Sequence, residues 1–389
     1  MKIKQAKKYL PYGHQSIDDN DIREVVKVLK SDFITQGPKI KEFEEKIARY
    51  VGAKYAVAVF NGTAALYAAC YAAGIKHNDE VIVPTYSFVA TANCVIYCNG
   101  TPVLSDVYED TLTIDASEAE KKISPKTKAI IAADFAGHPA EWDKLRALSN
   151  KNHLILIDDA AHALGSIYKN KKIGSIADLT VFSFHPVKTI TTGEGGMITT
   201  NNKHFYNKLL SFRNHGMLKR PANSQKIGPW YYEINDLGYN FRMTDIQAAL
   251  GISQFKKINK FIDKRRKIWK EYANYLKDVK GLTLPLEKDY VRSAWHLYPL
   301  RLRGRRLQIN KKQIANQLHN LGVGVQTHYI PIHLHKFYKT IFGYHKGDFP
   351  IAEKAYFSEI SIPLFPGMQK GDAKYVVESL KNVLNKYSK

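Results

Sequence analysis

Four short stretches place reactive side chains directly after apolar runs. Lys188 follows "LTVFSFHPV", two residues after a proline, and precedes "TTGEGG", with three glycines within four residues. A lysine there is either a surface residue at a loop entry or an amine whose partial burial lowers its pKa and makes it a nucleophile. Asp158, Asp159 and His162 follow "HLILI". Two carboxylates at the end of an apolar strand are costly to desolvate unless a cation or donors meet them, and one of the two could serve only as a helix cap. Asn61, Gly62, Thr63 and Ala64 follow "YAVAVF" and open an alanine-rich helix. That start is either a plain N-cap or a phosphate site built from free N–H groups and the positive end of the helix dipole. Thr85, Tyr86, Ser87 and Phe88 follow "EVIVP", where an aromatic packs into the core or offers its face to a flat ring.

The elements that must position these residues are legible in the alternation of the chain. From about Tyr55, the short apolar runs "YAVAVF", "EVIVP", "PVLSDV", "KAIIAADF", "HLILIDDA", "LTVFSF" and "GMITT" alternate with helical patterns such as "SFVATANCVIYC" and "AEWDKLRALSNKN". Strands apolar on both faces and separated by helices imply an α/β fold with a mostly parallel sheet sandwiched by helices. Ligands of such sheets sit at the carboxyl ends of the strands, where all four stretches fall. A phosphate-binding helix start, a stacking aromatic, a strand-end aspartate and a reactive lysine at one sheet edge are the parts needed to hold pyridoxal 5′-phosphate (PLP). Near Leu250 the character changes. A long helical pattern, "MTDIQAALGISQFKKINKFIDKRRKIWKEYANYLKD", leads into strand-like "AWHLYPLRL", helical "KKQIANQLHNLG" and strand-like "VGVQTHYI". The expected organisation is an N-terminal segment 1–22, a large domain 23–250 and a smaller C-terminal α+β domain 251–389.

Composition narrows the function classes. The chain has 389 residues, 44% hydrophobic and 24% charged, enough for two domains with a substantial core. No apolar run reaches the ~18 to 20 residues of a membrane span, and "MKIKQAKKYLPYGHQ" has no apolar segment after its lysines, so a soluble cytoplasmic protein without membrane partners is expected. Fifty-eight Lys and Arg against 36 Asp and Glu give a net charge of +22. The basic residues are dispersed, "RRKIWK" and "RLRGRR" being the densest stretches. A solvated surface explains them best, then an anionic substrate, then nucleic acid, so no nucleic-acid partner is expected. Cys94 and Cys98, four apart, suggest a buried pair on one helix face with Cys70 elsewhere, and neither a disulfide nor zinc. His328, His333 and His335 have poor spacing for a metal on one face, and none is expected.

The whole chain resembles the DegT-type PLP-dependent nucleotide-sugar aminotransferases, which have the fold-type-I aminotransferase architecture. Eight motifs carry the resemblance, in the family's order: "SDFITQGPKIKEFEEKIARYVG", "NGTAAL", "PTYSFVATAN", "IDDAAHALGS", "SFHPVKTITTGEGG", "FRNHGM", "LGYNFRMTDIQAALG" and "THYIPIH". The resemblance implies that Lys188 is the covalent anchor of PLP and the catalytic lysine. Asp159, rather than Asp158, falls at the position that pairs with the pyridinium nitrogen, His162 near the ring hydroxyl and Phe88 where an aromatic stacks on the ring. Gly62, Thr63, Ala64 and Ser183 fall on the phosphate site. Asn240 joins them from the neighbouring subunit, which implies a homodimer with shared active sites. "NGT" lacks a serine that many relatives carry before the threonine. Relatives that dehydrate sugars have histidine at the lysine position, so Lys188 points to transamination. "FRNHGMLKR", "WHLYPL" and "VQTHYIPIHLHKFY" are most similar to the aminotransferases of pseudaminic acid biosynthesis. These use glutamate to aminate the C4 ketone of a UDP-4-keto-6-deoxy-N-acetylhexosamine. Tyr12, Thr35, His328 and Tyr329 are then expected to line the sugar-nucleotide pocket. Perosamine-, viosamine- or bacillosamine-type 4-keto sugars are the alternatives.

Overall fold

A computed structural model describes residues 9–218 and 225–387. The N-terminal segment is therefore seen from residue 9 onward, and Lys219 and Arg220 of "FRNHGMLKR" lie outside the described residues. Each apolar run of the first half becomes a strand: β1 Tyr55–Val59, β2 Glu80–Pro84, β3 Thr101–Ser105, β4 Thr127–Ala133, β5 Ile155–Asp159, β6 Leu179–Ser183 and β7 Gly196–Thr200. They form one sheet in the order β1-β7-β6-β5-β4-β2-β3. Neighbours are parallel except around β7, which is antiparallel to both β1 and β6. Because side chains alternate across a strand, each strand feeds two cores. Ala56, Ile82, Ile130 and Leu156 enter one, and Val57, Val81, Ile131 and Ile157 the other. The architecture is the expected fold-type-I one, with helices packed on both faces.

Three helices of the large domain matter for the site. α1, Gly62–Ala72, has so many alanines that it lies close on the sheet, and the Asn61 side chain caps its start. α2, Ala90–Tyr97, follows β2. α3, Asp245–Phe255, opens with a capping box between Thr244 and Gln247. The long helical pattern after Leu250 is interrupted at Lys256–Lys257 and resumes as α4, Ile258–Leu276. We place the domain division within α4. Its first half, with Phe261 and Ile262, joins the large-domain core, whereas Ile268, Tyr272 and Leu276 join a separate core reaching Leu384, to which Leu10 also belongs.

The small domain holds a three-stranded antiparallel sheet of β8 Leu282–Thr283, β9 Tyr298–Leu302 and β10 Glu359–Ile362, in the order β8-β9-β10. "VGVQTHYI" is not a strand. It pairs only through single bridges, Val323 with Leu10 and Gln326 with Ser361, before turning toward the large domain. The cysteine pairing also differs from the expectation. Cys98 ends α2 partly exposed, and the thiol facing Cys94 is Cys70 of α1, at 3.5 Å between sulfurs. Among the described residues no helix is long and apolar enough to cross a membrane.

Candidate active site

The strand ends open into a cavity of about 720 Å³. β5 delivers Asp159 and the turn after it His162; β6 delivers Ser183 and the loop after it Lys188. The start of α1 adds Gly62 and Thr63, and the β2–α2 connection adds Phe88. Tyr12, His328 and Tyr329 close the cavity from the N-terminal segment and the small domain.

At the start of α1, the Asn61 side chain accepts the N–H of Ala64 at 2.8 Å. The N–H groups of Gly62 and Thr63 belong to the first turn, which has no intrahelical acceptor. Ala64 itself is buried and does not line the cavity. The Ser183 hydroxyl stands beside this turn, since a Cβ on Gly62 would meet Ser183 Oγ at 3.2 Å. The last glycine of "TTGEGG" serves the same turn. A Cβ on Gly196 would lie 2.3 Å from the Asn61 carbonyl oxygen.

Strand alternation separates the two aspartates. Asp158 points away from the cavity, fully buried, and neither carboxyl oxygen has a hydrogen-bond partner among the described residues. Burial, reinforced by Asp134 and Asp159, pushes its pKa far up, and with no N–H donor on either oxygen it caps no helix. Asp159 faces the cavity. It accepts the Thr91 hydroxyl at 2.7 Å and the Ala161 N–H at 3.3 Å. Thr91 spends its one proton on Asp159, so Ser87 donates to Thr91, at 2.7 Å. Burial raises the Asp159 pKa, with Thr91, Ala161 and Lys188 opposing. A carboxylate in that condition gains most from a cation on its open side.

Lys188 supplies a second unsatisfied group. Its backbone N–H closes a turn onto the His185 carbonyl at 2.9 Å. No hydrogen bond to another described residue engages its Nζ. Burial draws its pKa down to about 8, the Asp159 carboxylate resisting and the Arg265 guanidinium adding to the fall. Arg265 is itself fully buried on α4, donating to the carbonyls of His296 and Leu364 at 3.1 and 2.8 Å. His162 is neutral, since burial holds its pKa well below the ordinary value. Its Nδ1 accepts the Ala136 N–H at 3.3 Å, and its Nε2 meets the Tyr329 hydroxyl at 3.1 Å.

Two expected residues lie elsewhere on this chain. Thr35 is exposed and bridged to Thr244, and Asn240 is exposed and bridged to Asn214; neither lines the cavity. Other residues enter that sequence reasoning missed. Thr91 supports Asp159, and its one signal was a hydroxyl four residues after Ser87 on a helix. Asp134 lines the cavity from a loop, and so do His296 of "WHLYPL" and Gln326 of "VQTHYIPIHLHKFY", stretches that the resemblance covered without giving either residue a role. His333 is buried between Thr85 Oγ1 at 2.7 Å and Glu353 at 3.0 Å. Among the described residues no three His, Cys, Asp or Glu side chains are grouped to hold a metal.

The cavity has the kinds of group needed to hold PLP. It offers a carboxylate open on one side, a free amine, a helix start with unspent N–H groups beside a serine hydroxyl, and an aromatic face at Phe88. Comparison with known proteins agrees. The profile of the DegT/DnrJ/EryC1/StrS aminotransferase family matches residues 15–381. The spore coat polysaccharide biosynthesis protein SpsC of Bacillus subtilis is 38% identical over 98% of this chain and 99% of its own length. A UDP-4-amino-4,6-dideoxy-N-acetyl-beta-L-altrosamine transaminase of Campylobacter jejuni is also 38% identical, with the same coverage. Helicobacter pylori PseC, an aminotransferase involved in the biosynthesis of pseudoaminic acid, superposes with a TM-score of 0.91 at 34% identity, covering 98% of this chain and 100% of that one. The sugar aminotransferase Spr1654 of Streptococcus pneumoniae, solved in PMP and PLP forms, superposes in its PMP form with a TM-score of 0.93 at 32% identity, covering 97% of this chain and 100% of that one. The chain belongs to the DegT/DnrJ/EryC1/StrS aminotransferase family and is a PLP-dependent sugar aminotransferase.

Proposed function

We propose that the enzyme transfers the amino group of glutamate to the C4 ketone of a UDP-4-keto-6-deoxy-N-acetylhexosamine, in the making of a surface glycan of the pseudaminic acid type. The carrying observation is the amine of Lys188, without a hydrogen bond and drawn down to about 8 in the cavity that Asp159 also faces. An amine with that pKa accepts and returns a proton near neutral pH. The names of the relatives in Campylobacter jejuni and Helicobacter pylori support the sugar class.

PLP, when bound, supplies the electron sink that makes a hydrogen beside the transferred nitrogen labile. The residues of this chain do the rest. Lys188 would anchor the cofactor covalently and, when its amine is free, Nζ would take up and return the proton of the transfer. Asp159, held by Thr91, keeps the ring nitrogen protonated. Phe88 stacks on the ring, His162 stands by its hydroxyl, and Gly62, Thr63 and Ser183 bind the phosphate. Asn240 completes the phosphate site from a second copy of the chain, and Thr35 reaches the sugar-nucleotide pocket in the same way, in a cytoplasmic homodimer. Tyr12, His328 and Tyr329 face the sugar.

A panel of 4-keto nucleotide sugars, including perosamine-, viosamine- and bacillosamine-type substrates, tests the reading when incubated with glutamate, with NMR assignment of the new amine. Preference for any of these three over the precursor of a pseudaminic acid-type sugar would overturn the assigned substrate. Lys188→Ala should abolish turnover and the visible absorbance of covalently held cofactor. Full activity in that variant would remove Lys188 from its role.

A further inference from the structure

The small-domain wall of the cavity contains a hydrogen-bond chain that the mechanism above leaves unused. The backbone N–H of His328 donates to Glu359 Oε2 at 2.9 Å. The Ser361 hydroxyl donates to the other carboxylate oxygen, Oε1, and its oxygen also meets His328 Nδ1 at 2.9 Å. A serine has one proton to give. Given to Glu359, it leaves the serine oxygen as an acceptor, so the ring hydrogen of His328 must sit on Nδ1. A second ring proton is excluded, because burial, aided by the charge of Lys188, drives His328 down to about 3. Nε2 is left with a bare lone pair. It has no partner among the described residues, and the ring lines the cavity beside Tyr12, with ring centroids 5.1 Å apart. Glu359 and Ser361 are both fully buried on β10 and do not line the cavity.

The next residue has the opposite polarity. Nδ1 of His162 accepts a backbone N–H, so its ring hydrogen is on Nε2 and is donated to the Tyr329 hydroxyl oxygen. Burial keeps that phenol protonated. Its own O–H is therefore available to an acceptor. His328 and Tyr329 thus present an acceptor and a donor side by side.

We infer that Glu359 and Ser361 are positioning residues that hold His328 as a neutral acceptor, and that His328 and Tyr329 together recognise a neutral group of the sugar bearing both a donor and an acceptor, a hydroxyl or an amide. The inference rests on the reading that this cavity takes a sugar ring. It denies His328 any role toward phosphate or carboxylate, which a bare lone pair repels. Burial lifts Glu359 to about 7, the Ser361 hydroxyl, Lys311 and the His328 N–H opposing, so the carboxylate that orders the chain is charged at pH 8. The other titratable groups around it are Tyr86 and Tyr329, with Lys188, His162 and His296 facing His328.

Ser361→Ala in the holoenzyme, assayed at pH 8, separates this from a structural role. It removes the link and keeps the carboxylate. The KM for a UDP-4-keto-6-deoxy-N-acetylhexosamine should rise roughly tenfold, the loss of one well-placed hydrogen bond. The kcat should stay within about twofold, and the half-reaction with glutamate and inhibition by UDP alone should be unchanged. An unaltered KM, or an equal weakening of UDP, would overturn the assignment. Histidine-15N NMR of the wild-type holoenzyme, with His328 assigned through His328→Asn, needs no sugar. A hydrogen on Nδ1 supports the chain as drawn, and a hydrogen on Nε2 overturns it even if the sugar proves to be a different one.

Discussion

Asp159 shows how one residue's environment fits it for its role. Two neutral donors, Thr91 and Ala161, occupy its oxygens from the protein side while burial strains its charge. Asparagine would keep the shape and the acceptor for Thr91 but bring no charge to a ring N–H⁺. Asp159→Asn should cut turnover by at least about 10²-fold, about 2.7 kcal/mol of barrier. Thermal stability of the cofactor-free protein should hold or rise, because a buried acid is gone. Steady-state rates and melting curves check both, and near-normal turnover would remove Asp159 from the site. Its neighbour Asp134 gives a pH signature. Burial raises it from 3.8 to about 8, and its Oδ1 accepts the Ala140 N–H at 2.7 Å. Between those two pH values the folded chain holds a proton there that the unfolded chain releases. The stability contributed by this group is complete below about 4 and is lost as pH rises through about 8. Asp134→Asn has no such proton. Its stability relative to wild type, read from melting curves, should therefore climb from pH 5 to pH 8 by on the order of 1 kcal/mol per pH unit and then level off. A constant difference across that range would show that Asp134 is ionised in the fold.

At the scale of elements, the sheet was legible because burial on both faces leaves little choice of residue. Runs such as "AVAVF" and "LILI" are apolar at every position, and each contributes a strand. Side-chain direction was not legible from those runs. Only pairing in the sheet turns Asp159 into the cavity and Asp158 away, and the resemblance supplied that choice before the geometry did. Thr91, His296 and Asp134 were missed because their contacts cross between elements far apart in sequence. "VGVQTHYI" misled for a related reason. Its apolar alternation serves Leu10 and Ser361 at single points, not a ladder. Of the glycines that follow Lys188, Gly196 makes room for the Asn61 carbonyl. Gly196→Ala should therefore act through α1. The added carbon must push the Asn61–Gly62 turn, costing about 1–3 kcal/mol in stability and weakening PLP about tenfold or more. Cofactor titration by absorbance, beside melting curves, reads both effects. A variant with unchanged PLP affinity would show that the turn does not hold the phosphate.

The whole molecule carries its +22 on its surface rather than in its site, since Lys188 is the one lysine or arginine among the described residues lining the cavity. Its exposed apolar surface is more telling. Trp230 and Leu237 are each 73% exposed, Ile227 and Ile234 are exposed nearby, and Phe33 and Ile34 are exposed beside Thr35. These stretches flank Asn240 and Thr35, the two residues that the family resemblance places at the active site and that this chain does not bring there. Large exposed apolar side chains of this kind mark contact surfaces, and in a two-fold dimer each copy gives what it receives. The solution mass should be twice 44.2 kDa. Complementation gives the sharper test. Lys188→Ala subunits lack the amine, and Asn240→Asp subunits turn a carboxylate toward the partner's phosphate, so each homodimer should be inactive or strongly impaired. Exchange of the two in equal amounts puts both defects into one site of each mixed dimer and leaves the other site intact. Half of the random dimers are mixed, with one good site in two, so about a quarter of wild-type activity should return. Activity that stays at the mean of the two homodimers would mean that each site is built from a single chain, and Asn240 would then leave the phosphate site.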